Sequence, residues 1–125
     1  MQPMSIVVID DSRDTLEAIA YWLRHCGYVV HPYDTARDAW QALCDGLRPA
    51  LIILDLNMPG MSGFEFRAAQ LRDERLASIP VVVLSGTTMT AQEEAELGAV
   101  RVLIKPTDLD TLLAVVQEQG IARDQ

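Results

Sequence analysis

The chain has 125 residues, which suits one domain with one hydrophobic core. Half of its residues are hydrophobic and 22% are charged, a balance typical of globular proteins rather than disordered ones. Its formal net charge of −8 argues against nonspecific binding to DNA or anionic membranes and favours a basic partner or a cation. No apolar run approaches the roughly 20 residues of a membrane span, and the start lacks a signal-peptide pattern, so we expect a cytoplasmic domain.

The first two strand–helix pairs are readable in chain order. A β-branched run at residues 5–9 predicts a buried strand that ends in Asp10 and Asp11. Ser12 or Asp11 can cap the helix that follows. Its predicted buried face consists of apolar residues at helical spacing: Leu16, Ile19, Ala20 and Leu23. A more polar second strand at 28–33 contains Pro32, which favours the edge of a sheet.

A second helix is predicted after the cap residues Asp34 and Thr35, and it ends at Gly46. The most apolar stretch of the chain follows it. Residues 51–54 are all aliphatic and run directly into Asp55, which predicts a strand buried on both faces. Pro59 and Gly60 then form a strong turn signal. A third helix is predicted at 63–72, and we expect its apolar side to carry Phe64, Ala68 and Leu71.

Two further pairs complete the pattern. A fourth strand at 79–84 leads to Ser85 and Gly86, and a short helix is expected at 90–97. A fifth strand at 102–104 leads to Lys105 and Pro106, before a last amphipathic helix. Five alternations of strand and helix predict a doubly wound α/β fold of the flavodoxin-like type, with a five-stranded parallel sheet.

Polar side chains follow four of these strands directly. With the strand order 2-1-3-4-5, Asp10 and Asp11 would lie beside Asp55, and Ser85 and Lys105 would lie on the same edge. Clustered carboxylates repel one another, and Mg²⁺ relieves that repulsion because it prefers oxygen ligands. Carboxylates, a metal, a lysine and a hydroxyl suit phosphoryl transfer, with Asp55 as nucleophile.

These four signatures resemble the receiver domain of bacterial two-component response regulators, the CheY-like fold. The resemblance covers nearly the whole chain and rests on these segments: 9–11, 54–63, 84–86 and 105–106. It implies one receiver domain over 1–125, without an output domain in this chain. It also implies a signalling module that catalyses only its own phosphotransfer and dephosphorylation.

The resemblance assigns roles to single residues. Asp55 would accept a phosphoryl group from a histidine kinase or a histidine phosphotransfer protein. The Mg²⁺ ligands would be Asp10, Asp11, Asp55 and the backbone carbonyl of Asn57, with Asp10 acting partly through water. Ser85 would be the conformational hydroxyl and Lys105 the partner of the phosphate. Gly86 would leave space beside the phosphoryl pocket, and a cis peptide bond is expected before Pro106.

Two departures from the family pattern concern the output. Family members often have Tyr or Phe three residues before the lysine, and this chain has Val102 there. The segment between Ser85 and Lys105 is also about two residues shorter than usual. An aromatic-rotation switch is therefore not expected, and the downstream partner protein is unknown.

Alternative functions remain at this point. The chain could be an excised receiver of a hybrid kinase or multidomain regulator, and homodimer formation stays open. A Mg²⁺-dependent phosphohydrolase using Asp55 is disfavoured because Asn57 replaces the acid that such enzymes need. A small-ligand binder is disfavoured because no Gly-rich phosphate loop follows the first strand. No recognition helix or basic stripe is present, so direct DNA binding is not expected.

The first helix also carries aromatic side chains outside its apolar face. Its stripe leaves Tyr21 largely outside and Trp22 at the border. This pattern is compatible with two roles: packing at the border of the buried helix face, or a docking surface for the phosphodonor or a second copy.

Overall fold

The computed structural model describes residues 4–99 and 101–121. The predicted start and end of the domain, at 1–3 and 122–125, lie outside the described residues. The strands are β1 (Ser5–Ile9), β2 (Val29–Tyr33), β3 (Leu51–Asp55), β4 (Val81–Ser85) and β5 (Arg101–Ile104). The helices are α1 (Arg13–His25), α2 (Ala36–Cys44), α3 (Gly63–Arg72), α4 (Ala91–Leu97) and α5 (Leu109–Glu118).

The five strands form one parallel sheet in the order β2-β1-β3-β4-β5, which confirms the predicted fold. One apolar cluster joins α1 and α5 to one face of the sheet, and a second joins α2, α3 and α4 to the other face. The sheet is therefore covered on both sides, as a parallel sheet requires. No helix in the described parts of the chain is long and apolar enough to cross a membrane.

Burial follows strand position within the sheet. Every residue of β1, β3 and β4 is buried, whereas β2 and β5 at the edges are partly exposed. Pro32 lies in the edge strand β2, where its missing N–H costs no hydrogen bond to a further strand. The apolar runs noted in the sequence are thus the three central strands.

Helix α1 buries the face that its sequence predicts. All four residues of the predicted stripe are buried, and Ser12 is the N-cap, its side chain accepting a hydrogen bond from the Thr15 N–H. Tyr21 is 72% exposed, as expected, while Trp22 is half-buried at the border and its ring stacks on His25. Trp22 therefore lies at the border of the buried face, as predicted.

Helix α3 does not bury the predicted face. Phe64 and Leu71 are 38% and 43% exposed, so the expectation that this side faces the core is wrong. The buried face instead contains Phe66, Arg67 and Gln70. Two polar side chains are buried because each forms hydrogen bonds inside the fold, as described below.

Candidate functional site at the carboxyl edge of the sheet

The register of the sheet brings the predicted site residues to one edge. Ile9 lies opposite Leu54, so Asp10 directly follows β1 beside the end of β3. Asp55 pairs with Leu84, and Ser85 pairs with Ile104, the residue before Lys105. The strand ends therefore bring these side chains together because parallel strands all end at the same edge.

Lys105 forms ion pairs with two buried carboxylates. Its Nζ atom lies 3.0 Å from Oδ2 of Asp10 and 3.4 Å from Oδ2 of Asp55. The Asp10 side chain is fully buried and that of Asp55 is 3% exposed, while the Lys105 side chain is 29% exposed. One ammonium group thus balances part of the negative charge of two acids that come from different strands.

Backbone N–H groups orient the same two acids. The Ser12 N–H donates to Oδ1 of Asp10 at 2.9 Å, and the Asn57 N–H donates to Oδ1 of Asp55 at 3.2 Å. Each bond spans two residues, the local pattern by which aspartate favours a turn. The turn that ends each strand therefore also fixes the direction of its carboxylate.

A third carboxylate lies at the solvent side of this pair. Asp11 is exposed, and carboxylate oxygens of Asp10, Asp11 and Asp55 all lie within 4.8 Å of one another. The donor set contains only oxygen, with one acid open to solvent and two buried. It fits a hard cation such as Mg²⁺, which usually takes few carboxylates and keeps water ligands.

The charges in the cluster shift its proton equilibria. The pKa of Asp55 is raised from 3.8 to about 6, mainly by burial; the negative charge of Asp10 adds to the rise, and the Asn57 N–H and Lys105 oppose it. Burial lowers the pKa of Lys105, but its hydrogen bond to Asp10 and the two carboxylate charges outweigh burial, so this pKa is raised. Burial and the charge of Asp10 therefore disfavour the ionised form of Asp55.

Ser85 is buried next to Asp55 but its hydroxyl is turned into its own loop. The Oγ atom donates to the Thr87 carbonyl at 2.7 Å and accepts from the Thr87 N–H at 3.2 Å. The Lys105 N–H donates to the Ser85 carbonyl at 2.7 Å, which holds the two loops together. The Ser85 hydroxyl is thus bonded directly to the backbone of the loop that follows β4.

The remaining predicted pocket residues surround this edge. A Cβ atom at Gly86 would lie 3.5 Å from Nδ2 of Asn57, an ordinary contact. The peptide bond between Lys105 and Pro106 is cis, as predicted. Val102 is half-buried against the apolar cluster under α2, α3 and α4.

Gly63 is a positioning residue that ends the segment 54–63 and to which the sequence analysis assigned no role of its own. A Cβ atom there would lie 2.7 Å from the Asp55 carbonyl oxygen and 2.7 Å from Cα of Leu56. The Gly63 N–H also donates to the Leu56 carbonyl at 3.2 Å. The first turn of α3 therefore packs directly behind the strand end that carries Asp55, with no space for a side chain.

A groove of about 690 Å³ opens beside Lys105. One wall is α1, with Thr15 and Ala18, and the other is the segment from Lys105 to Thr107 before α5. Tyr21 does not line this groove, and neither does Trp22, so the aromatic side chains of α1 lie apart from it. A partner that enters the groove would contact α1 and reach the edge that carries Asp55.

Comparisons with known proteins identify the family. A family model of the response regulator receiver domain matches residues 6–117. The response regulator Rre1 of Synechocystis sp. is 34% identical over 127 residues, which cover 99% of this chain and 54% of that protein. The DNA-binding dual master transcriptional regulator RpaA of the same organism is 36% identical, over 90% of this chain and 47% of its own length.

Solved structures agree with this assignment. The crystal structure of a response regulator receiver protein from Pseudomonas putida has a TM-score of 0.84 and 31% identity, covering 94% of this chain and 98% of that one. The present chain spans about half the length of the two Synechocystis relatives, whose further parts it does not match. The chain belongs to the response regulator receiver domain family of two-component signalling systems.

Proposed function

We propose that Asp55 accepts a phosphoryl group from a phosphohistidine of a histidine kinase or a histidine phosphotransfer protein. The observation that carries this proposal is the pairing of two buried acids, Asp10 and Asp55, with one lysine beside the exposed Asp11. This arrangement combines a nucleophile, a cationic group and an oxygen-only metal site within a few ångströms.

The proposed step is a displacement at phosphorus. An oxygen of the Asp55 carboxylate forms a bond to phosphorus while the phosphorus–nitrogen bond of the donor breaks, and the electron pair stays on the histidine nitrogen. Lys105 neutralises charge on the phosphoryl oxygens. Ser85 donates a hydrogen bond to them after its hydroxyl leaves the Thr87 carbonyl.

The metal site belongs to the same proposal. Mg²⁺ would be held by Asp10, Asp11, Asp55 and the backbone carbonyl of Asn57, and its chemistry when bound is neutralisation of the phosphoryl charge. Receiver domains bind Mg²⁺ in general, and the three clustered acids support the same behaviour here.

We expect the phosphodonor to enter by the groove between α1 and the segment before α5, because this groove leads to Lys105.

The output partner is not defined by any residue of the site. Val102 offers no ring that could rotate, so the phosphorylated state must reach a partner by another movement. The absence of direct DNA binding and a cytoplasmic location stay predictions of the sequence, while a homodimer and an excised origin stay open.

A direct test uses acetyl phosphate and Mg²⁺ as the probe. We expect the protein to gain the mass of one phosphoryl group in a linkage that is stable to acid and labile to base. Asp55→Asn should gain nothing, while Asp45→Asn, which changes an acid at the end of α2, should react like the unmodified protein. An adduct that survives in Asp55→Asn would overturn the assignment of the phosphoacceptor.

The docking surface is tested separately. Ala18→Arg places a large side chain in the groove, at a residue outside the cluster of Asp10, Asp11 and Asp55. It should slow transfer from a phosphorylated histidine phosphotransfer protein and leave the reaction with acetyl phosphate unchanged. If Ala18→Arg also leaves the rate of transfer from the phosphotransfer protein unchanged, docking in this groove is contradicted. Trp22→Ala is the matched control, because it changes a residue of α1 that does not line the groove.

A further inference from the structure

Arg67 is a buried cation that the proposed phosphorylation chemistry does not use. It lies on α3 and is 6% exposed. Within the parts of the chain that the structure describes, no carboxylate forms an ion pair with it. A buried charge is costly unless its hydrogen-bonding groups are satisfied, so the surroundings of Arg67 must compensate for it.

The compensation comes mainly from the C-terminal end of α4. The Arg67 Nε atom donates to the Leu97 carbonyl at 2.7 Å, and Nη2 donates to the Gly98 carbonyl at 3.1 Å. These carbonyls belong to the last turn of a helix, where backbone oxygens lack intrahelical partners and carry partial negative charge. Arg67 and the end of α4 therefore satisfy each other.

Gln70 holds Arg67 from the other side. Its Oε1 atom accepts from Nη1 of Arg67 at 2.8 Å, while its Nε2 atom donates to the carbonyls of Leu76 and Ile79. Gln70 is fully buried. The guanidinium group is thus anchored to the turn before β4 and cannot follow α4 without losing hydrogen bonds.

Helix α4 itself is short and mostly exposed. It has seven residues, and Leu97 is its one buried residue. An isolated helix of this length is unstable in water, so its position depends on contacts with the rest of the protein. The contacts of Arg67 and Leu97 both lie at its C-terminal end.

The N-terminal end of α4 is linked to the phosphorylation site instead. It follows the loop in which the Ser85 hydroxyl bonds both backbone groups of Thr87. Thr90 caps the helix and exchanges hydrogen bonds with Glu93, so the first turn is closed by its own side chains directly after this loop. The two ends of α4 are therefore attached to different parts of the molecule.

We propose that Arg67 is a positioning residue that fixes the C-terminal end of α4 to α3, so that phosphorylation of Asp55 displaces the N-terminal end of α4 and leaves the other end in place. This inference rests on the proposed function, and it supplies a movement by which a receiver with Val102 at the switch position can signal. The surface presented to a partner would change at the first turn of α4.

The test records backbone amide NMR shifts and amide exchange from Thr87 to Ala99, before and after phosphorylation with acetyl phosphate and Mg²⁺. In the unmodified protein we expect shift changes at Thr87 to Thr90 and in the first turn of α4. The Gly98 amide should keep its shift, and its exchange should change less than about twofold. Shift changes at Gly98 as large as those at Thr90 would overturn the proposal.

Two substitutions of Arg67 extend the test. In Arg67→Met we expect the Gly98 amide to exchange about tenfold faster before phosphorylation, and the shift changes on phosphorylation to spread to Leu97 and Gly98. Arg67→Lys keeps the positive charge, but one ammonium group cannot replace the three guanidinium nitrogens that donate here, so amide exchange at Gly98 should rise about threefold. This variant keeps the test decisive if the methionine variant does not fold.

The matched control is Arg72→Met, because Arg72 lies exposed on the same helix and, among the residues that the structure describes, bonds only the Ala68 carbonyl. It should behave like the unmodified protein. Wild-type exchange at Gly98 in either folded Arg67 variant would overturn the proposal while leaving phosphorylation of Asp55 intact. If the unmodified protein gains no phosphoryl group, the proposed function itself fails, and this inference fails with it.

Discussion

The units β1–α1 and β3–α3 are built alike but solve burial differently. Each is a fully buried five-residue strand that leads to an acid of the site and then to a helix. Helix α1 buries the apolar stripe that its sequence predicts. Helix α3 turns Phe64 and Leu71 outwards and buries Arg67 and Gln70 beside Phe66.

The difference shows that a helix buries the face for which its neighbours provide partners. Opposite α1 lie apolar residues of the sheet and α5, so only an apolar stripe fits there. Opposite α3 lie the carbonyls at the end of α4 and in the turn from Leu76 to Ile79, which need donors. The close contact of Gly63 with Asp55 then fixes the rotation of α3.

The largest expected effect compares the two helices directly. Leu23→Ala removes a fully buried side chain from α1 and should lower the free energy of unfolding by about 3 kcal/mol, through lost apolar burial and a cavity. Leu71→Ala on α3 should cost less than about 0.5 kcal/mol because its side chain is 43% exposed. Urea denaturation of both variants measures this difference, and similar losses would contradict the observed rotation of α3.

The next effect concerns the entry to α3. Gly63→Ala places a Cβ atom 2.7 Å from backbone atoms of Asp55 and Leu56, so the helix or the strand end must shift. We expect a loss of about 2 kcal/mol in unfolding free energy, and slower phosphorylation by acetyl phosphate. Gly86→Ala is the control, since its Cβ atom makes only an ordinary contact. Equal stability of the two variants would show that Gly63 does not position Asp55.

A third prediction compares the effects of Asp55 and of the exposed Asp11 on the pH dependence of stability. The pKa of Asp55 is raised from 3.8 to about 6 by burial, so the folded state holds this proton more tightly than the unfolded chain. Its contribution to stability is present below pH 3.8 and is lost as the pH rises through about 6. Without metal, Asp55→Asn should therefore stabilise the protein at pH 7.5.

A rise in pKa from 3.8 to about 6 corresponds to about 3 kcal/mol, and screening by solvent at the site should reduce the gain to about 1–2 kcal/mol. Denaturation of both proteins in a chelating buffer at pH 4 and pH 7.5 measures it, and the gain should nearly vanish at pH 4. Asp11→Asn is the control and should change little without metal. A gain that is equal at both pH values would rule out ionisation of Asp55 as its cause.

The smallest expected effect is the stabilisation by Mg²⁺, whose proposed ligands come from both units. Mg²⁺ at ten times its dissociation constant should stabilise the protein by about 1.4 kcal/mol, seen as a higher melting temperature. Asp11→Asn should reduce this gain because it removes the exposed acid of the cluster. Asp14→Asn, in the first turn of α1, is the matched control. Equal gains in all three proteins would exclude Asp11 as a ligand.

Much of the candidate site was predictable from the sequence because its residues follow strands directly. An apolar run ending in Asp10, Asp55 or Lys105 needs only the order of parallel strands to bring these side chains to one edge. Gly63 gave no comparable signal, because a glycine at the start of a helix reads as a turn residue until its distance to Asp55 is known. Arg67 was hidden for a similar reason, since a charged residue on a helix is expected to face solvent.

The sequence by itself determined the alternation of strands and helices, the central position of three strands and the face that α1 buries. These follow from local apolar patterns, because the side-chain period of a helix or a strand is the same whatever it packs against. Only the tertiary structure decided the rotation of α3, the direction of the Ser85 hydroxyl and the attachment of α4 to Arg67. Each of these depends on a backbone carbonyl contributed by a distant or irregular part of the chain, and a carbonyl leaves no mark in the order of side chains.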